Sequence, residues 1–150
     1  ATALCRCHRM GVRRLAATLW GSGVSGCVLP DLPLEGAGAW LDVADGAAVG
    51  SILLAAPTAP DERLSRICER SRGFVYGVGL LGVTGVRAEL AASAVEIATP
   101  LKPSTDLPVL VGVGVRTPAQ AVQAARPGDG LVIGSAVRQR TAMAHECLIQ

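Results

Sequence analysis

Short apolar runs rich in valine, isoleucine and leucine alternate along this chain with longer amphipathic stretches. Runs of this length predict buried strands, and apolar positions that recur every three or four residues predict helices. Strands that alternate with helices are typical of a parallel sheet covered by helices. The pattern predicts five strands, at residues 26–29, 51–55, 73–78, 109–113 and 130–133. The predicted helices occupy residues 11–20, 34–48, 62–71 and 86–99, with two more after residues 117 and 135.

Small polar residues and prolines mark several of the predicted helix ends. We expect Thr58 or Asp61 to cap the helix 62–71, because their side-chain oxygens can accept from its first N–H groups. Thr117 is expected to cap a later helix, with Pro118 in its first position. Pro100 is expected to end the helix 86–99, since the residue before a proline avoids helical backbone.

Three apolar runs in the second half of the chain end in glycine junctions, at residues 82–85, 112–114 and 134–135. Glycine lets the main chain approach a ligand closely, and N–H groups at such a loop or at a helix N-terminus can bind an anion. Ser135 could cap a helix and serve a phosphate oxygen at the same time. The junctions therefore predict a phosphate site at the carboxyl ends of the strands. The alternative is that they are merely tight turns between strands and helices.

The length of 150 residues favours a single domain, residues 1–150, with one substantial core. A complete (β/α)8 TIM barrel typically needs about 250 residues, so we expect a partial barrel of about five parallel strands. The composition is half apolar and poor in aromatic residues, which agrees with helices packed closely on a parallel sheet.

Charge and hydropathy narrow the class of ligand. The formal net charge is +2 and no basic block is present, so nucleic acid is not indicated and a small ligand fits better. No apolar run reaches the roughly 18 residues of a membrane span, so we expect no membrane insertion. The first thirty residues contain arginine but no acid, as transit peptides do, although a helix at 11–20 explains the same residues.

Other motifs carry less weight. Five cysteines form an odd, scattered set, which argues against a disulfide framework and favours a reducing compartment. Cys5, Cys7 and His8 lack a second ligand pair at zinc spacing, so no metal site is expected. Residues 77–82 match the dinucleotide pattern G-x-G-x-x-G, but the loop continues past them, and the acidic residue expected about twenty positions later is missing from the end of a second strand.

Taken in order, the motifs resemble those of the tryptophan synthase alpha subunit over about residues 9–140. They are GVSG and PDLP at 23–26 and 30–33, AAPT and DER at 55–58 and 61–63, GFVY and GVTG at 73–76 and 82–85, DLP and GVG at 106–108 and 112–114, and GSA at 134–136. The family is a (β/α)8 barrel that cleaves indole-3-glycerol phosphate to indole and glyceraldehyde 3-phosphate. The resemblance implies that this chain supplies the fourth to eighth strands of that barrel.

The resemblance also implies a set of substrate-binding residues and a partner. Gly85, Gly114, Gly134 and Ser135 would hold the substrate phosphate. Tyr76 would border the indole-glycerol pocket, and Thr84 would lie in the mobile lid loop. The loop around residues 31–33 would face a beta subunit, whose pyridoxal phosphate is the only cofactor expected. The expected location is the cytoplasm, or the organelle stroma in a plant or alga.

The family's two catalytic carboxylates, a Glu and an Asp, belong to its strand-two region, so the resemblance assigns no catalytic residue to this chain. Val113 also stands where the family usually has Phe. We therefore expect little or no lyase activity from the chain alone. One alternative is a non-catalytic phosphate-binding half-barrel that self-associates through its open strand edges. Another is a different phosphate-handling barrel enzyme, such as an isomerase or aldolase, against which the proline loop at 30–33 argues.

Overall fold

A computed structural model describes residues 10–79, 87–134 and 136–137. The strands are β1 (Gly26–Val28), β2 (Gly50–Ile52), β3 (Leu54–Ala55), β4 (Val75–Val78), β5 (Val109–Gly112) and β6 (Gly130–Leu131). The helices are α1 (Val12–Gly21), α2 (Gly38–Gly46), α3 (Asp61–Arg70), α4 (Arg87–Leu101) and α5 (Pro118–Ala125), with 3₁₀ turns at Leu34–Gly36 and Lys102–Ser104. The predicted alternation of strands and helices is confirmed in this part of the chain.

All strand pairs are parallel, and neighbours in the sheet are neighbours along the chain. The second predicted strand, 51–55, is divided at Leu53: β2 pairs with β1, whereas β3 pairs with β4. The division arises because neighbouring strands are staggered along their length, as they are in a barrel. The start of this run therefore lies beside β1 and its end lies beside β4. The described strands therefore form a two-stranded sheet, β1-β2, and a four-stranded sheet, β3-β4-β5-β6.

The two faces of the sheet are buried to different degrees. Val75, Val109 and Val111 are fully buried. A Cβ on Gly77, which shares their face, would overlap Ile97 of α4, so this face packs against the helices. Tyr76 and Leu110 alternate with these residues, pair in register and are only half-buried. The helix-facing layer is thus a closed core, while the opposite, inner face is partly open.

The helix ends agree only in part with the sequence prediction. Thr117 caps α5 as expected, in a capping box whose partner is Gln120. The expected cap of α3 by Thr58 or Asp61 is wrong: Pro60 precedes the helix without a side-chain cap, and Asp61 is its first residue. There the carboxylate opposes the positive end of the helix dipole instead.

Two further boundaries differ from expectation. Helix α4 runs through Pro100 to Leu101, because a proline so near the end removes a hydrogen bond only from the last turn. The predicted helix 34–48 is a 3₁₀ turn and then α2, separated at Ala37.

Three ion pairs join the region of α2 to that of α3. They are Arg63 with Glu35 at 3.2 Å, Arg70 with Asp42 at 3.3 Å and Arg72 with Asp45 at 3.3 Å. All six side chains are partly exposed, so each pair contributes at most about 1 kcal/mol. Within the described residues, no helix combines the length and apolar character that crossing a bilayer would require.

Candidate functional site

The carboxyl ends of β4, β5 and β6 lie along one edge of the sheet, because these strands are parallel neighbours. Gly79, the first residue after β4, donates its main-chain N–H to the carbonyl of Gly112 at 2.8 Å. A Cβ on Gly79 would lie 2.9 Å from Val113 Cγ1, so a larger residue does not fit there. The loops after β4 and β5 therefore begin side by side.

Gly114 and Gly134 are the two predicted phosphate-binding glycines that the structure describes. Gly114 has a φ of 66°, in the left-handed region that favours glycine. At both positions a Cβ would meet none of the described residues within 4 Å, so each glycine borders space that this part of the chain leaves open. Gly114 follows β5 and Gly134 follows β6, and these two strands are paired. The arrangement leaves room for a ligand against the main chain of both loops.

Tyr76 lies across the inner face of β5 and points towards the same edge. Its register partner is Leu110, yet its ring reaches Gly112, two residues nearer the carboxyl end of β5. A Cβ on Gly112 would be 2.6 Å from both Cε2 and the hydroxyl of Tyr76. Only glycine lets the ring lie there. In the described part of the chain the Tyr76 hydroxyl has no hydrogen-bond partner, so it is available to a ligand.

The other predicted site residues fall outside the described residues. Thr84, Gly85 and Ser135 are in this group, as are Cys5, Cys7 and His8 of the rejected metal motif. The assignments of Thr84, Gly85 and Ser135 stay predictions. Among the residues that are described, no group of three or more His, Cys, Asp or Glu side chains could hold a metal ion.

A second opening lies at the carboxyl end of β1. It is a cavity of about 410 Å³ between the loop 30–34, the β2–β3 junction and α3. Asp31 and Arg63 line it together with apolar residues, and Asp31 is exposed. This is the loop that the resemblance assigns to the beta partner. It lies after β1, at the same edge of the fold as the loops after β4 and β5, because β1 and β2 run parallel as the other pairs do.

Sequence reasoning missed Arg116, which lies two residues after Gly114. The main-chain N–H groups of Arg116 and Thr117 both donate to Oε1 of Gln120, at 2.9 and 3.1 Å. Arg116 is exposed and lines a mostly apolar cavity of about 170 Å³, shared with Ile133 and Ala136 on either side of the junction after β6. The sequence signal that could have indicated this residue is an arginine two positions after the glycine junction 112–114.

The cysteines of the described region do not belong to this edge. Cys68 is buried in α3, where burial and the neighbouring Glu69 raise the pKa of its thiol, so it stays protonated at neutral pH. Cys27 is half-buried in β1. Cys68 therefore lacks both the low pKa and the exposure of a reactive cysteine.

Comparison with known proteins identifies the family. The model of the tryptophan synthase alpha chain family matches residues 3–147. The tryptophan synthase alpha chain of Streptomyces coelicolor is 41% identical over 132 residues, which are 88% of this chain and 49% of that protein. The chain thus spans about half the length of the curated relatives it matches.

Solved structures agree. The tryptophan synthase α2β2 complex of Pyrococcus furiosus superposes with a TM-score of 0.80 at 37% identity, covering 87% of this chain and 53% of that chain. Tryptophan synthase of Mycobacterium tuberculosis superposes with a TM-score of 0.78 at 41% identity, covering 87% of this chain and 49% of that chain. The described strands and helices are accordingly part of a TIM barrel. This chain belongs to the tryptophan synthase alpha chain family.

Proposed function

We propose that this chain supplies the phosphate-binding half of an indole-3-glycerol phosphate site, in a lyase that releases indole and glyceraldehyde 3-phosphate. One observation carries the proposal: the Tyr76 ring, Gly114 and Gly134 lie at one edge of the sheet, and the described residues leave space beside both glycines. A phosphate ester needs N–H donors and a close main chain, and an indole ring needs an amphipathic surface. Gly114 and Gly134 would offer the close main chain, and Tyr76 would offer the amphipathic ring.

The chemistry explains why binding and catalysis are separable here. Breaking the carbon–carbon bond requires a proton at the indole carbon and removal of a hydroxyl proton. Each positioned acid or base typically raises the reaction rate by a factor of about 10² to 10⁴. The family resemblance assigns those roles to carboxylates of the strand-two region. The present chain would therefore bind and orient the phosphate end, and we expect little turnover without the first three strand-helix units.

We also propose a beta-type partner for the loop 31–33. The P. furiosus relative is described as an α2β2 complex, and Asp31 and Pro33 of this chain are exposed beside the 410 Å³ cavity. Pyridoxal phosphate would be carried by that partner, and this chain would need no cofactor of its own. The odd, scattered cysteine set fits a cytoplasmic protein.

A complementation assay tests the proposed function. The full 150-residue chain is incubated with indole-3-glycerol phosphate alone, and then with a polypeptide that carries the first three strand-helix units of a family member. We expect indole release only in the second mixture. The matched control is the same mixture with Gly114→Val, because a β-branched side chain strains a φ of 66° and fills the open space. Release by the chain alone, or equal release with the Gly114 variant, would contradict the proposal.

The second candidate is a non-catalytic half-barrel that self-associates. It is favoured by the edges of the sheet: among the described strands, β1 pairs only with β2 and β6 only with β5. Unpaired strand edges and a half-buried inner face favour association. Sedimentation of the purified chain discriminates the two candidates. A stable dimer that binds glycerol 3-phosphate but gives no indole with the added first half would support this candidate over the lyase.

A further inference from the structure

We propose that Arg116 makes a direct ionic contact with the phosphate of the bound ester, so that this chain selects dianionic phosphate esters with a side chain as well as with main-chain N–H groups. The inference rests on the proposed function of the edge formed by Gly114 and Gly134. It adds a specificity-determining residue to that site.

The position of Arg116 carries the first step. The residue lies between Gly114, which borders open space at the end of β5, and the N-terminus of α5. Arg116 lines the same small cavity as Ile133 and Ala136, the residues that flank the junction after β6. Arg116 therefore belongs to the loop after β5 and shares a cavity with the segment after β6, the two loops proposed to hold the phosphate.

The second step is that this cation has no competing partner. Lys102, Arg63, Arg70 and Arg72 each form an ion pair with a carboxylate. Arg116 forms no ion pair and its guanidinium makes no hydrogen bond in the described ranges 10–79, 87–134 and 136–137. An arriving phosphate would therefore gain a charge-assisted contact without first breaking another one.

The third step is that the main chain carrying Arg116 is already fixed. Gln120 Oε1 accepts from the N–H groups of Arg116 and Thr117, and the Thr117 hydroxyl accepts from Gln120 N–H at 3.3 Å. This capping box holds the loop against α5, so only the side-chain rotamers of Arg116 lose freedom on binding. The N-terminus of α5 adds a partial positive charge on the same side.

Arg126 provides a matched control within the same helix. It follows the last residue of α5 and is exposed like Arg116. The eight residues of α5 separate the two positions by about 12 Å, more than a Debye length at physiological salt. Replacing either arginine removes one exposed charge, but only Arg116 is near the proposed phosphate.

The test is calorimetric titration of the full chain and of the variants Arg116→Gln, Arg116→Lys and Arg126→Gln. The probes are glycerol 3-phosphate and the neutral ligand indole, at about 50 and 200 mM salt. We expect Arg116→Gln to weaken glycerol 3-phosphate binding about three- to tenfold at low salt, with less effect at high salt. Arg116→Lys should retain part of the affinity, and Arg126→Gln all of it. Indole binding should not change.

The outcomes separate this inference from the proposed function. If the unaltered chain binds glycerol 3-phosphate and Arg116→Gln binds equally well, the role of Arg116 is overturned and the proposed function stands. An equal loss in Arg126→Gln overturns it as well, because the effect would then be one of net charge. If the unaltered chain binds no phosphate ester, both are overturned. A weakened Arg116→Gln with unchanged indole binding and an unchanged denaturation midpoint supports the contact.

Discussion

Replacing Gly112 by alanine should move the Tyr76 ring while leaving the fold nearly intact. The new Cβ would lie 2.6 Å from Cε2 and from the hydroxyl of Tyr76, and 3.0 Å from Cζ. Carbon atoms in contact are normally about 3.5 to 4.0 Å apart, so the ring must recede by about 1 Å. These atoms are the far end of a half-buried side chain beside the open inner face, so the ring rather than β5 moves. We therefore expect a stability loss of about 1 kcal/mol, at the low end for overpacking.

Ligand binding reports the displacement of the ring. Because Tyr76 is proposed to border the indole pocket, Gly112→Ala should weaken indole binding about tenfold, as loss of a buried aromatic contact of about 1.4 kcal/mol would. Glycerol 3-phosphate binding should change less than about twofold, since the main chain of Gly114 and Gly134 is untouched. Calorimetry gives both affinities, and urea unfolding gives the stability change.

A double-mutant cycle identifies the cause. Tyr76→Ala should weaken indole binding by itself, and Gly112→Ala should add no further loss in that background, because the ring it displaces is gone. Gly38→Ala is the control, since a Cβ there meets nothing within 4 Å. Unchanged indole binding in Gly112→Ala, or losses that simply add in the double variant, would refute this account of the Tyr76–Gly112 contact.

Three further outcomes are expected. Gly77→Ala should cost about 2 to 3 kcal/mol in urea unfolding, because its Cβ would overlap the stiff, buried Ile97 side chain of α4, and a loss below about 0.5 kcal/mol would contradict this. Thr117→Ala should cost about 1 kcal/mol through loss of its capping bond, measured in the same way, and an unchanged midpoint would show that the cap is not needed. Hydrogen bonds from Lys102 and from the main-chain N–H of Val109 lower the pKa of Asp129 in the folded chain. The stability that this carboxylate contributes is therefore present above its ordinary pKa near 3.8, and it is lost as pH falls through the lower pKa of the folded state. The stability gap between Asp129→Asn and the unaltered chain should therefore narrow below about pH 4, and a gap independent of pH would contradict this assignment.

The regular part of the fold follows from local sequence. Residues 109–113 form a short apolar run rich in valine, and this run, set between helical stretches, is enough to predict β5. The division at Leu53 could not be predicted in this way, because it depends on which neighbour each half of the run meets in space. The passage of α4 through Pro100 depends likewise on packing of its last turn.

The candidate site likewise has features that the sequence predicts and features that depend on the three-dimensional structure. Glycine at 114 and 134 after apolar runs is a signal carried by the sequence itself, and at both positions the described residues leave space for a Cβ. The placement of the Tyr76 ring over Gly112 depends on register and rotamer, which the linear pattern does not contain. Arg116 was missed because exposed arginines are common in the chain and only its spatial neighbours set it apart.

The exchange of partners at Leu53 has a consequence for how the molecule can come apart. Helix α2 contacts β2 and helix α3 contacts β3, so each side of the division carries its own helix. The three arginine–carboxylate pairs that join the regions of those two helices bridge this division, and all are accessible to dissolved ions. Salt should therefore loosen the contact across this division before it affects the valine-rich layer under α4, and amide hydrogen exchange in β1 and β2 should accelerate first.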